Sequence, residues 1–226
     1  MRIIDLFGLP GSGKTTTANA LCSYWSSKNI SCYKMSNIEW ISGKTSGCRI
    51  LHKIRVFLCL LKPSNFFMFF SLLELFRKLD LLDIKTLKKI IGIWSYFAQL
   101  DVAEKKGTYI TDNGLFQTLS TAFLFHDISL ELISKAMEMF TKKKSIFSID
   151  FCYIEEDSQT CLDRVFNRDK EIRIKSLDRR EAFVEIQKQQ VIMEYIYELA
   201  KSAGLKILKV NSNTAGVDLK SYCDVT

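Results

Sequence analysis

One short stretch carries residues whose types and spacing could do chemistry together. Gly8-Leu-Pro10-Gly11-Ser12-Gly13-Lys14-Thr15, followed by Thr16, fits the spacing Gly-x-x-x-x-Gly-Lys-Ser/Thr. Glycines let the chain turn tightly and aim successive backbone N–H groups inward, where they can hold phosphate oxygens. A helix beginning at Lys14 adds the positive end of its dipole at the same point. Lys14 can reach the β- and γ-phosphates of a bound nucleotide, and the Thr15 hydroxyl can ligate Mg²⁺. The alternative is a glycine turn with an incidental lysine. The apolar segment before the loop and the helical pattern after it favour phosphate binding.

Two further groups could work beside such a loop. Tyr109-Ile-Thr-Asp112-Asn113-Gly114 puts an aspartate where a short β-branched run ends. At the carboxyl end of a parallel strand, Asp112 could hold Mg²⁺, orient an acceptor or take a proton. Asp-Asn-Gly is also ordinary turn chemistry. Glu39 is a second candidate carboxylate, just after a second possible strand. The stretch 164–180 holds seven basic and three acidic side chains. In it, Arg164 and Arg168 are four apart and share a helical face, an arrangement suited to polyphosphate. A solvated charged helix is the plainer reading.

These residues need a frame. Strands are expected at Arg2–Phe7, Ser31–Met35, Thr108–Thr111, Ser145–Ile154 and Leu205–Val210. Helices are expected at Lys14–Ser27, Leu115–Phe125, Ser129–Lys143, Ser158–Arg168 and Arg179–Ala203, with helical periodicity from Cys48 to Lys106. Strands separated by helices imply a parallel α/β sheet covered on both faces. Phe57, Phe66, Phe67, Phe69, Phe70 and Phe76 crowd the long helical stretch. They read as core packing or as the lining of an apolar acceptor pocket.

With 226 residues, 47% hydrophobic and 25% charged, the chain can bury about 72% of its unfolded surface, so no disulfide staple is required. Its seven scattered cysteines, without a CxxC pair, read as small hydrophobes rather than a zinc site or disulfide framework. The net charge of +7 is compatible with nucleic acid, an anionic surface or phosphorylated small molecules. No aromatic–basic interleaving supports a nucleic-acid track. The greasiest segment, Val56–Leu73, is broken by Lys62 and Pro63 and is too short to span a bilayer. With no signal peptide evident, a cytoplasmic location is expected.

On the phosphate loop, the Asp112 strand end and the arginine helix, the chain resembles the P-loop nucleoside monophosphate kinases, thymidylate kinases in particular. Phe151-Cys-Tyr-Ile-Glu155, Asp178-Arg179-Arg180-Glu181-Ala-Phe183 and Asn211-Ser-Asn-Thr-Ala215 extend the similarity over most of the chain, except about 40–95. The resemblance implies one three-layer kinase domain over 1–226, strand order 2-3-1-4-5, a helical acceptor-binding insertion at about 40–106 and a basic lid at about 169–178. It also implies that Arg164 stacks on adenine, that Arg168 touches the transferring phosphates and that Asn211 and Ala215 border the adenine. ATP and Mg²⁺ are the expected cofactors, and a homodimer is compatible with the family. Two positions depart from it. The family's Asp-Arg pair is Asp112-Asn113 here. The arginine that grips an acceptor phosphate in Phe-Ala-Ala-Asp-Arg is Asp101 here, within Phe97-Ala98-Gln99-Leu100-Asp101. The expectation is therefore a Mg·ATP-dependent kinase of a nucleotide or related small molecule. The alternatives are a kinase of a nucleoside or sugar hydroxyl and a non-catalytic ATP-binding regulator.

Overall fold

A computed structural model describes residues 2–34, 54, 56–78, 82–102, 108–124, 130–168 and 173–225, with 102, 173 and 222–225 described by backbone alone. Five parallel strands form one sheet in the order β2-β3-β1-β4-β5. They are β1 (Arg2–Gly8), β2 (Cys32–Lys34), β3 (Thr108–Thr111), β4 (Ile149–Glu155) and β5 (Ile207–Asn211). Every adjacent pair is parallel. The helices are α1 (Lys14–Ser27), α2 (Pro63–Arg77), α3 (Ile84–Val102), α4 (Leu115–Leu124), α5 (Leu130–Thr141), α6 (Ser158–Phe166), α7 (Arg179–Ser202) and α8 (Ala215–Val225). Topology and helical cover agree with the sequence expectation.

The central strand β1 explains the three layers. Side chains alternate across a strand, and β1 is buried on both faces. Ile3 and Phe7 join the larger core under α2–α7, while Ile4 and Leu6 join the smaller core against α1 and α8. Asp5 lies between Ile3 and Phe7 on the larger-core side, a carboxyl in the middle of an apolar face.

Some boundaries differ from the expected ones. The run from Ser145 begins as a 3-10 turn, Lys144–Ser148, and becomes a strand at Ile149. The helix after Ser158 stops at Phe166, so Arg168 lies just beyond it. The last strand runs to Asn211 rather than Val210. Helix α7 is started by Asp178, whose Oδ1 accepts from the N–H groups of Arg180 at 2.8 Å and Glu181 at 2.9 Å. Of the expected lid, residues 169–172 lie outside the described residues.

The phenylalanine-rich stretch splits by position. Phe76 is in the core and Phe69 stacks on Trp94 at 4.4 Å, but Phe57, Phe66, Phe67 and Phe70 are exposed. Core packing thus holds for Phe69 and Phe76 and not for the other four, because helical spacing of aromatic residues does not say which turns are covered. Among the described helices, none is long and apolar enough to cross a membrane.

Candidate active site

The carboxyl ends of β1, β3, β4 and β5 meet at one edge of the sheet. The loop after β1 is shaped by close backbone approaches. Gly11 has φ +89°, and a Cβ there would stand 2.5 Å from the Cys161 carbonyl oxygen; at Gly8 a Cβ would stand 2.5 Å from that of Ile154. Glycine is therefore required for α6 and β4 to pack against the loop. Gly8 N–H donates to Gln117 Oε1 at 3.2 Å, which ties the loop to α4. Ser12 is fully buried, and its Oγ finds no partner among the described residues. Pro10 sits at the half-buried tip of the turn, and Thr16 is exposed on the first turn of α1.

Lys14 folds back over this loop. Its Nζ donates to the carbonyl oxygens of Gly8 and Leu9, each at 2.7 Å. Burial pulls its pKa down to about 8, against the attraction of Cys161 and Asp112. Arg168, exposed just beyond α6, lowers it further by like-charge repulsion. A half-buried amine held by two neutral carbonyls gains from a phosphate more than a fully solvated one would.

Thr15 and Asp112 meet at the loop's mouth. Thr15 Oγ1 donates to Asp112 Oδ2 at 2.7 Å, and Lys34 Nζ stands 3.5 Å from the same oxygen. Two hard oxygen donors converging beside a phosphate loop fit Mg²⁺, which takes one or two protein oxygens and completes its shell with phosphates and water. Among the described residues no cluster of three or more His, Cys, Asp or Glu is gathered, and such a phosphate-borne ion requires none. Glu39, the other proposed carboxylate, lies outside the described residues.

On the other side of the loop, Arg164 Nη1 pairs with Glu156 Oε2 at 2.8 Å and approaches Gly11 O at 3.4 Å and Ser212 Oγ at 3.5 Å. Ser212 also donates to Glu156. Arg164 therefore ties the phosphate loop to the turn after β5. In that turn Asn211 Oδ1 accepts from Asn213 N–H at 2.9 Å. Ala215 is buried in the smaller core.

Sequence reasoning missed several groups. Gln117, Lys34 and Glu156 belong to no short motif, and topology alone brings them to the loop. Asp5 was also missed. Its Oδ2 accepts from Tyr96 O–H at 2.9 Å and from Leu115 N–H at 2.8 Å, and its Oδ1 finds no partner among the described residues. Burial raises its pKa to about 7, against those two hydrogen bonds. A cavity of about 260 Å³ opens between α3 and the strand end, lined by Lys88, Lys89, Ser95, Tyr96, Gln99 and Asn113 among others. Its walls are mostly neutral hydrogen-bonding groups. The phenylalanines of α2 do not line it. Asp101 stays outside it, paired with Lys62 Nζ at 3.2 Å and accepting from Asn65 Nδ2 at 3.1 Å.

No family model matches the chain, and no curated protein matches it in sequence. Among solved structures it is similar to a deoxyadenosine kinase from M. mycoides with bound dATP. The identity is 13%, the TM-score 0.56, and the match covers 99% of this chain and 100% of that one. The same enzyme with products dCMP and a flexible dCDP matches at 14% identity and a TM-score of 0.56, covering both chains completely. At that distance the likeness speaks for architecture. The parallel five-stranded sheet, its strand order, and the loop-to-helix start at Lys14 together carry the P-loop kinase fold that these nucleoside kinases share.

Proposed function

We propose that the chain is a Mg·ATP-dependent kinase whose acceptor is the hydroxyl of a nucleoside or a closely related small molecule. One observation carries this reading: the polar cavity is lined by Thr111 and Asn113, the residues on either side of Asp112, yet the two places where the resembled family clamps an acceptor phosphate hold Asn113 and Asp101. A neutral hydroxyl needs hydrogen-bonding groups and a nearby carboxylate rather than guanidinium clamps. A similar solved structure is that of a deoxyadenosine kinase, whose name fits that acceptor class.

In this reading Gly8, Pro10, Gly11, Ser12, Gly13 and Thr16 shape the phosphate cradle, and its inward N–H groups bind the donor phosphates. Lys14 turns from the carbonyls of Gly8 and Leu9 to the phosphates and neutralises their charge. Thr15 and Asp112 would hold Mg²⁺, which when bound supplies charge neutralisation for the transferring group. Arg168, close enough to depress the pKa of Lys14, adds a second cation on the phosphate side. Arg164, Asn211 and the turn leading to Ala215 border the adenine. Tyr96, Gln99 and Asn113 orient the acceptor. Glu39 and Asp112 are the carboxylates available to the hydroxyl proton. Phosphoryl transfer needs little else from a protein than positioning and charge.

A second reading has one observation behind it. Lys88 and Lys89 stand on the cavity wall and could replace the missing clamps for a monophosphate acceptor. Incubation with Mg·ATP and a matched panel of deoxynucleosides and their monophosphates, with products identified by mass, separates the two. Nucleoside monophosphate products support the hydroxyl reading. Diphosphate products formed faster than monophosphates support the second. ADP formation with neither overturns both.

A further inference from the structure

Seven cysteines scattered in sequence need not be scattered in space. Cys22 on α1 and Cys32 at the start of β2 are ten residues apart, and their Sγ atoms lie 3.0 Å from each other. They are not joined in a disulfide, and both are half-buried at the edge of the sheet. The pairing belongs to a repeated arrangement. Cys32 and Lys34 are two apart on the strand and so point the same way. Asn19 and Cys22 are three apart on the helix and also share a face. Cys32 meets Cys22, and Lys34 Nζ donates to Asn19 Oδ1 at 3.2 Å. The edge strand is thus held to the phosphate-loop helix by two rungs, one of sulfur and one polar. Lys34 in turn stands beside Asp112.

We propose that Cys22 and Cys32 are a redox-responsive pair that forms a reversible disulfide, clamping the edge strand to the phosphate-loop helix. Its formation calls for an approach of about 1 Å from the present contact to bond length. A hydroperoxide is the oxidant. Cys22, as thiolate, attacks one peroxide oxygen; the O–O bond breaks, hydroxide leaves, and Cys22 becomes a sulfenic acid. The Cys32 thiol then attacks the Cys22 sulfur, the S–O bond breaks, and water leaves. The two thiols lose two electrons, and hydrogen peroxide becomes two waters. Cys22 is suited to the first step because the hydrogen bond from Cys32 brings its pKa down to about 7 despite partial burial, with help from the Lys34 charge. Buried Cys161 contrasts with it: burial pushes that thiol up to about 12. The clamp is independent of the proposed acceptor.

The test is a titration of the whole reduced protein with hydrogen peroxide, followed by alkylation and non-reducing peptide mapping. The expected result is a Cys22–Cys32 cross-linked peptide, about 2 Da lighter than its two reduced parts, that forms before the other cysteines react and disappears with dithiothreitol. The oxidised protein should melt roughly 5–10 °C higher than the reduced one. Cys32→Ser should halt the sequence at a sulfenic acid on Cys22, trapped by dimedone. The mapping is done on wild-type protein, so it stands even if that variant folds poorly. Cross-links between other cysteines first, or alkylation of Cys22 and Cys32 undiminished by peroxide, would overturn the proposal.

Discussion

Thr15 Oγ1 donates to Asp112 Oδ2 at 2.7 Å, which joins the first turn after the phosphate loop to the end of the neighbouring strand. The contact is solvent-exposed and contributes little to stability. If its value lies in holding Mg²⁺ on the phosphates, Asp112→Ala should lower kcat/KM by about 10²–10³-fold while the melting temperature moves by less than about 2 °C. Steady-state kinetics beside differential scanning calorimetry checks this. A large loss of stability at unchanged activity would make the pair structural.

Lys14 supplies a prediction about protons. In the empty loop its pKa is about 8, lowered chiefly by burial. Phosphate oxygens favour the charged form and raise that value. Nucleotide binding should therefore take up roughly half a proton at pH 8 and more at pH 9. Calorimetric titrations in buffers of different ionisation enthalpy measure the uptake. Lys14→Arg, which keeps its proton, should abolish it. Lys14→Ala should lower turnover by about 10²–10³-fold.

Asp5 makes a separate pH prediction. Its folded pKa of about 7 lies above the ordinary 3.8, chiefly because of burial. The folded chain therefore binds more protons than the unfolded chain between those values. The stability from the protonated carboxyl is complete below 3.8 and is lost as pH rises through about 7, on the order of 4 kcal/mol in all. Comparing thermal melts of wild type and Asp5→Asn from pH 4 to 8 isolates this slope, which the variant should lack. The same carboxyl leaves no room at Gly114, where a Cβ would stand 2.1 Å from Asp5 Oδ1. Gly114→Ala should be severely destabilising for that reason.

The two arginines should separate stability from catalysis. Arg164 pairs with the largely buried carboxylate of Glu156, so Arg164→Ala should lower both the melting temperature and ATP affinity. Arg168 is exposed but close to Lys14, so Arg168→Ala should leave the melting temperature alone and lower kcat. Equal losses of stability in both variants would contradict this division.

The architecture was legible because it rests on local signals. β-branched runs, helical periodicity and the glycine spacing of the phosphate loop each act over a few residues, and the resemblance supplied the strand order. Lys14, Thr15 and Asp112 were legible as candidates because each sits in or beside such a local signal. Asp5 was not. Its neighbours Ile3, Ile4, Leu6 and Phe7 read as an ordinary buried strand, and the hydrogen bonds that make a carboxyl tolerable there come from Tyr96 and Leu115, 91 and 110 residues away. Cys22 and Cys32 were read as isolated hydrophobes because their contact depends on how α1 lies against β2. Asp101 occupies a family clamp position in sequence, but its charge is drawn to Lys62 by the packing of α2 against α3.

Cavity walls of Ser95, Tyr96, Gln99 and Asn113, without a guanidinium clamp at 113 or 101, suit a neutral hydroxyl. The most direct measurement is kcat/KM with Mg·ATP for a deoxynucleoside and for its own monophosphate under one set of conditions. At least about 10²-fold preference for the nucleoside is expected, since an acceptor phosphate would meet only the ammonium groups of Lys88 and Lys89, point charges without the bidentate grip of the missing guanidiniums. Preference for the monophosphate, lost on replacing Lys88 and Lys89 with glutamine, would contradict it.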